Sequence, residues 1–455
     1  MPVTRGCQTN NQQPTTNMFK VNRDLPPARS ATFAQCAVLA TLALIISPLC
    51  ASGEGFRNPP AGTFNLGRSG GRIAQVDDAS AIQQNPANLL DVRPTQIDLT
   101  PSIVYIHADY TSPSGVSAET ENPWKFLPNF FTSMPVVDDR VVIGLGLTTP
   151  YGLANEWKQT GAFADPASLK YQAPYFSELM TINANPTVAV RLLDNLTFGA
   201  GLDVTWSQLT FKQLYPWLIF PGSTGIEPDG KIKTQGDGFG FGGNAGLTWQ
   251  IAERHRLAVT YRSPISVKYE GDFQINNLTP TAAFVGATPE SDFSTKIKFP
   301  TIIALGYGIQ VTDNLRLEVD GEWLQFSNFK SLDLNVGNNA LLFPTGTNIP
   351  ENWKNTYTLG IGGDWRFSPD WVVRFGYQHY ETPVPDSTIS TTIPDANQNV
   401  FTVGLGYQHG HHAFEVAYGF DIYADRTITD NVNPAFNGEY GTTVHLFSLS
   451  YRYSF

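Results

Sequence analysis

From residue 95 to the C-terminus, large apolar residues alternate with small or polar ones at a period of two, in segments separated by turn residues. The last segment is the clearest: Phe447, Leu449, Tyr451, Tyr453 and Phe455 alternate with Ser448, Ser450, Arg452 and Ser454. Phe414–Ile422, Phe401–Tyr407, Trp371–Tyr377 and Phe198–Trp206 repeat the pattern, with Gly, Ser and Thr prominent in the second series. Period two predicts β-strands with one apolar face. Fourteen segments qualify: 95–108, 126–137, 139–150, 177–193, 196–213, 238–252, 255–270, 293–310, 315–329, 355–367, 371–381, 398–409, 413–424 and 443–455. Their connections alternate between tight turns, such as Asp194-Asn195 and Ser368-Pro369-Asp370, and long loops rich in Pro, Gly, Asn and Asp. Short turns at one end and long loops at the other are the mark of a transmembrane barrel, whose apolar residues face lipid and small ones the lumen. The expected fold is all-β: a 14-stranded antiparallel transmembrane β-barrel. A soluble sandwich also alternates, but it would seldom stop on its last aromatic residue.

Residues 54–94 do not fit the strand pattern. They are rich in Gly and small residues and too short to bury a core of their own. Asp78 is a plausible N-cap for one helical turn, and Asn85 for a second with Pro86 in its first position. Small inward residues in the strands leave room for such a segment, so it reads as a plug, or hatch, inside a barrel spanning 95–455.

Residues 1–53 read as an export signal. Lys20, Arg23 and Arg29 precede an apolar core at Cys36–Ile46, and small residues follow at Ala51, Ser52 and Gly53. The core is too short to span a membrane as a helix. The basic region is long, so Met18 is an alternative start. All three cysteines (Cys7, Cys36, Cys50) precede residue 54. The remainder is expected to form no disulfide and perform no thiol chemistry. Removing four basic and one acidic residue from totals of 29 and 40 leaves a net charge of −14, which argues against nucleic acid as a partner. No later stretch approaches the apolar length of a membrane-spanning helix. A terminal Phe closing an aromatic strand resembles the signal read by the machinery that assembles outer-membrane barrels.

Candidate chemistry is sparse. His409, His411 and His412 cluster in a predicted turn without a third kind of ligand, so no metal site is expected. The other histidines lack a neighbouring nucleophile motif, and Gly238–Gly242 reads as small inward residues between lipid-facing Phe rather than a phosphate loop. No catalytic residue and no cofactor are predicted. Arg262, Arg316 and Arg374 fall on the lumen parity, together with Asp203, Glu318, Asp320 and Glu322. Ion pairs holding strands or hatch are the favoured role, with ligand contact as the alternative. Apolar capture from outside is expected at Trp124, Phe126, Phe130 and Phe131, and at Trp217 and Phe220.

Several short motifs, in order and at matching spacing, resemble the FadL/TodX family of outer-membrane transporters for long-chain fatty acids and other hydrophobic compounds. They are Gly67-Arg68-Ser69-Gly70, Asp77-Asp78-Ala79, Asn85-Pro86-Ala87, Tyr151-Gly152-Leu153-Ala154, Gly240–Gly246, Tyr261-Arg262-Ser263, Pro383-Val384-Pro385 and Ile393-Pro394-Asp395. The resemblance covers nearly all of the chain after residue 54. It implies 14 strands, and an N-terminal hatch gated near Asp77, Asp78, Asn85, Pro86 and Ala87. It also implies an inward kink of the third strand at Pro150, Tyr151, Gly152 and Leu153, opening a lateral exit into the bilayer. Local sequence alone leaves that open: Pro and Gly suit a bulge, and they equally suit a strand end. In the family, lumen Arg and Lys meet a carboxylate. Here Gln213 stands where the strand-5 Arg is expected, and no matching Lys lies near Asn348–Glu351.

Together these readings predict a monomeric, non-enzymatic outer-membrane protein for passive uptake of hydrophobic molecules, either fatty acids or uncharged hydrocarbons and aromatics. Its expected partners are that ligand, outer-membrane lipid and lipopolysaccharide, and the barrel-assembly machinery. The alternatives are a general polar-solute porin and, further off, an outer-membrane lipase.

Overall fold

The computed structural model describes residues 54–343 and 346–455; the predicted export signal lies outside them. Fourteen strands follow in chain order: β1 (Gln96–Leu99 and Ser102–Thr111), β2 (Ser117–Glu121, Trp124–Leu127 and Phe130–Val137), β3 (Val141–Thr148 and Gly152–Trp157), β4 (Phe176–Leu193), β5 (Leu196–Tyr215), β6 (Gly230–Ala252), β7 (His255–Arg262 and Ile265–Ile275), β8 (Glu290–Phe299 and Ile302–Thr312), β9 (Leu315–Leu324), β10 (Thr356–Ser368), β11 (Trp371–Tyr380), β12 (Gln398–His409), β13 (His412–Tyr423) and β14 (Gly438–Ser454). Each pairs antiparallel with its neighbours, and β1 pairs with β14 (Gln96↔Ser454, Ser102↔Ser448), which closes the barrel. Closure leaves neither β1 nor β14 as a free sheet edge.

The outer face explains the period-two pattern. Leu202 is 65% exposed and Phe241 70%, as are similar residues around the wall, while their strand neighbours are buried. Large apolar side chains left uncovered in every direction suit a hydrocarbon solvent, not water.

Two strands change which residues face inward. In β7, Leu257, Val259 and Tyr261 point out below Ser263-Pro264, but above it Ile265, Val267 and Tyr269 are buried and Ser266 and Lys268 exposed. In β8, Pro300-Thr301 does the same: Ile303 and Leu305 point out, whereas Phe299, Ile297 and Phe293 point in. Proline cannot donate to the ladder, so each break permits a bulge. The register resumes with Ile265↔Phe299 on one side and Arg262↔Ile302 on the other. In consequence the lumen changes from polar near the short turns to apolar and aromatic near the long loops.

Residues 54–94 lie against the inner faces of the strands. They contain α1 (Thr63–Gly67), α2 (Ala81–Gln84) and a 3-10 turn (Pro86–Asp91). Asn85 caps that turn as expected, its Oδ1 accepting from Ala87 N at 3.1 Å with Pro86 in the first position. Asp78 acts one step earlier than expected: its Oδ1 accepts from Ser80 N at 3.0 Å, and Ser80 precedes α2. Glycines permit the close approach. A Cβ on Gly376 would lie 2.2 Å from the carbonyl oxygen of Ser69, and one on Gly70 (φ +85°) 2.3 Å from that of Tyr377.

Candidate ligand passage

The wall is interrupted between β2 and β3. Near the short turns the two strands pair from Val137↔Val141 to Phe130↔Leu147, and they meet again only at Glu121↔Glu156 and Thr120↔Trp157. Residues 122–129 of β2 therefore face no backbone partner on β3, a stretch of roughly 25 Å at the usual rise per residue. Pro150 starts the departure, since it has no N–H to donate. Thr149–Gly152 instead bond inward to the N-terminal segment. Gly152 N donates to Phe56 O (2.8 Å), Asn58 N to Pro150 O (3.0 Å) and Asn58 Nδ2 to Thr149 O (2.8 Å). Beyond the break, Gly152, Leu153, Ala154, Asn155 and Trp157 are all buried, so this half of β3 does not alternate as a lipid-facing strand would. Asn155 and Trp157 donate to the carbonyls of Thr392 and Thr391, holding it under the loop between β11 and β12.

Phe56 is the centre of an aromatic cluster at this point. It stacks on Trp353 (centroids 4.8 Å apart) and meets Phe299, Phe326, Phe329 and Tyr151 edge-on at 5.4–6.1 Å. Tyr151 in turn stacks on Phe299 at 4.3 Å. Full burial of one Phe is worth about 1.5–3 kcal/mol, with more for aromatic pairing. Phe56, Phe299, Phe326, Phe329 and Trp353 are not among the residues that sequence reasoning singles out. The usable signal covers Phe299 alone: the break at Pro300-Thr301 turns it into the lumen.

Below this cluster a cavity of about 50 Å³ is bounded by the N-terminal segment (Pro59, Gln83, Pro86), the β3 break (Pro150, Tyr151) and Arg262. Residues from three of the predicted groups thus meet in one place. Ligand pockets usually measure about 300–1,000 Å³, so this space admits only a few waters.

The segment is fixed by polar contacts throughout. Asn85 Nδ2 donates to Ile73 O (2.7 Å) and Thr248 Oγ1 (2.9 Å), and a Cβ on Gly246 would lie 2.0 Å from Asn85 Oδ1. Glu318 accepts from the N–H groups of Ile73 (2.7 Å), Ala74 (2.5 Å) and Gln75 (3.0 Å), and forms an ion pair with Arg68 at 3.3 Å. At the start of the segment, Gly55 N donates to Asp395 (3.1 Å), and Thr356 donates to Glu54. Burial pushes the Glu54 carboxyl up to about 7 and that of Asp395 to about 6.

The lumen arginines are all committed. Arg262 pairs with Asp203 (2.5 Å) and donates to Gln83 O, Arg316 pairs with Asp77 and Asp364 (both 2.9 Å), and Arg374 pairs with Glu415 (3.1 Å). The arginines join strand to strand and strand to plug. Gln213 donates to Tyr171 O at 2.7 Å. Asp78 receives Arg452 at 3.3 Å.

Two placements need correction. Trp124, Phe126, Phe130 and Phe131 are strand residues of β2, not parts of an outer loop. Trp124 faces outward against Tyr105, and Phe131 is fully buried against the plug beside Ile82. Trp124 falls before the predicted segment 126–137, in a short strand piece after Pro123 that β1 pairs with at Tyr105↔Trp124. Trp217 lies in the loop after β5, yet it is fully buried and donates to Asn276 O at 3.0 Å, with Phe220 edge-on to it. It is core of that loop; the exposed apolar groups there are Leu218 and Ile219. Among the described residues no group of three or more His, Cys, Asp or Glu side chains is placed to hold a metal ion.

A closed barrel with an apolar outer wall, a plugged polar lumen and one interrupted seam defines an outer-membrane channel protein. Residues 45–455 match the family described as outer membrane protein transport protein (OMPP1/FadL/TodX), and the chain belongs to that family. It is 25% identical to a long-chain fatty acid transport protein of Escherichia coli O157:H7, over 94% of this chain and 100% of that protein. A putative outer membrane protein of Neisseria meningitidis is 26% identical over 76% of this chain and 81% of its own length. Among solved structures, a Pseudomonas aeruginosa FadL homologue superposes with a TM-score of 0.75 (23% identity, 88% of this chain, all of that one). The Pseudomonas putida toluene transporter TodX superposes with 0.69 (16% identity, 87% and 99%). The protein is thus an outer-membrane β-barrel of 14 antiparallel strands.

Proposed function

We propose that this protein carries hydrophobic molecules passively across the outer membrane and releases them sideways through the seam between β2 and β3. The observation that carries this reading is the hydrogen bonding of Gly152 and Pro150 to residues 56–58: the plug completes the backbone where the wall is missing. A ligand collected on exposed apolar loop residues such as Ile219 and Phe284 would enter the aromatic region around Phe56. Displacing Phe56 forfeits its burial, but an apolar ligand of similar area restores about the same free energy. Opening is then close to balanced when ligand is present and unfavourable when it is absent. Asn85-Pro86 would form the fixed end of this gate, where Gly199 and Gly246 clamp the turn.

The relatives include proteins named for fatty-acid transport and for toluene transport. Here Arg262, Arg316 and Arg374 already hold carboxylates of the chain, which favours an uncharged ligand such as an aromatic hydrocarbon or alkane. A lumen occupied by residues 54–94 does not suit a polar-solute porin.

Replacing Pro150 and Gly152 together by Val restores a ladder donor and a strand former, which should let β3 pair with β2 along the seam. Uptake of labelled toluene into cells carrying this variant should fall to background while the barrel still folds. Normal uptake through the straightened strand rules out lateral release. Faster uptake of oleate than toluene by the unaltered protein rules out the preference for uncharged ligands.

A further inference from the structure

The bulges in β7 and β8 also decide what the barrel shows to the membrane. Above them, Ser266, Lys268, Lys296 and Lys298 face outward, where continued parity would have put them in the lumen. The register sets Lys268 directly opposite Lys296, and Ser266 opposite Lys298. Two like charges facing each other across an antiparallel pair destabilise the sheet, because their Cβ atoms stand only about 5 Å apart. Lys268 forms an ion pair with Glu270 on its own strand. Lys296 and Lys298 have no carboxylate within ion-pair distance among the described residues. On the other flank, Gly238 and Gly240 of β6 run against the backbone of Lys268 and Ser266, and Phe239 and Phe241 between and beyond them are 61% and 70% exposed.

The depth of these lysines is set by the strand itself. At the short-turn end of β8, Tyr307 hydrogen-bonds His255 at 2.6 Å, an interfacial aromatic pair. From Tyr307 to Lys298 the strand climbs roughly 20–25 Å along the barrel axis, about the height of the apolar band of such barrels. The outward residues between them are Ile303 and Leu305. Lys268, Lys296 and Lys298 therefore lie at the headgroup level of the outer leaflet. The next outward rank above is Glu270 opposite Ser294, and above that Asp272 and Asp292 face each other. That acidic rank separates these lysines from Lys233 of β6, which stands higher, opposite Gln274.

We propose that Lys268, Lys296 and Lys298 bind the phosphate groups of a multi-acylated, phosphorylated saccharolipid of the outer leaflet, with its acyl chains lying over Phe239 and Phe241. An anion between Lys268 and Lys296 turns a repulsive cross-strand pair into a bridged one. Phosphate at the membrane surface attracts each lysine enough to change occupancy roughly fivefold. This site lies on the outside of the wall, away from the seam, and goes beyond the transport reading.

The test uses the folded barrel in phosphatidylcholine nanodiscs doped with bis-phosphorylated lipid A, or in parallel with the same lipid enzymatically dephosphorylated. Native mass spectrometry counts lipid retained on the protein. The unaltered protein should retain the phosphorylated form, K296Q/K298Q should retain it at least tenfold less, and K296R/K298R should keep it. The folded state of each variant is verified by its unheated electrophoretic mobility; both positions are on the outer surface, where either substitution leaves the interior untouched. Equal retention by K296Q/K298Q, or equal retention of the dephosphorylated lipid, overturns the proposal.

Discussion

The amide of Gly152 donates to the carbonyl of Phe56 at 2.8 Å, so a strand of the barrel wall is paired to the plug where it should be paired to β2. The N-terminal segment and the seam are therefore one structural unit. Moving either disturbs the other, and the expected consequences can be measured.

Gly246 faces Asn85 so closely that a Cβ would lie 2.0 Å from Asn85 Oδ1. Gly246→Val should push the Asn85-Pro86 turn off the wall at a cost of about 1–3 kcal/mol. The strands themselves tolerate Val, so the barrel should fold. The variant should pass ions steadily in planar bilayers, with residues 54–94 open to protease, while the unaltered protein does neither. A silent, protease-resistant variant would show that this turn does not hold the plug.

Glu318 supplies one carboxylate to three successive N–H groups and to Arg68. Glu318→Gln keeps the shape but removes the charge, leaving Arg68 with the Asp364 carboxylate at 3.0 Å and the Gln75 carbonyl at 3.1 Å. Breaking a buried charge pair by one partner costs about 3–5 kcal/mol. Thermal unfolding should show a lowered first transition belonging to the plug and an unchanged later one belonging to the wall. A single transition at the original temperature contradicts this assignment.

Glu54 and Asp395 anchor the first plug residues from both sides. Burial raises their carboxyls to about 7 and about 6, above ordinary values of 4.5 and 3.8. A raised folded pKa means that the folded form binds protons more tightly. Their contribution is complete below about pH 4 and is lost as pH rises through 6 to 7. Hydrogen exchange of residues 54–58, corrected for its intrinsic pH dependence, should be more protected at pH 5 than at pH 8. Asp395→Asn should remove much of that difference; an unchanged or inverted difference counts against the assignment.

How much of this could be read in advance differs by region. The wall was legible because lipid imposes one rule on every outward residue, as in Phe447 to Phe455. Asn85-Pro86 was legible as a capped turn because its chemistry is local. Pro150 and Gly152 were legible only as an ambiguity, since a strand end and a bulge need the same residues. The partners of Glu318 were hidden: they are backbone amides, which any sequence offers everywhere. Trp217 and Phe131 misled because an aromatic residue near a loop reads as exposed, whereas here the loops and plug have cores of their own. The inward turn of Phe299 was missed because strand parity was carried straight through Pro300.

The central claim is that the plug must part from β3 for a ligand to leave. Arg57 and Tyr151 are bridge partners in an antiparallel pairing, which places their Cα atoms within disulfide reach. In the Arg57→Cys/Tyr151→Cys variant, uptake of labelled toluene should stop under oxidising conditions and return on reduction, with either single-cysteine variant indifferent to both. Uptake by the oxidised, cross-linked protein at the rate of its reduced form would contradict the account.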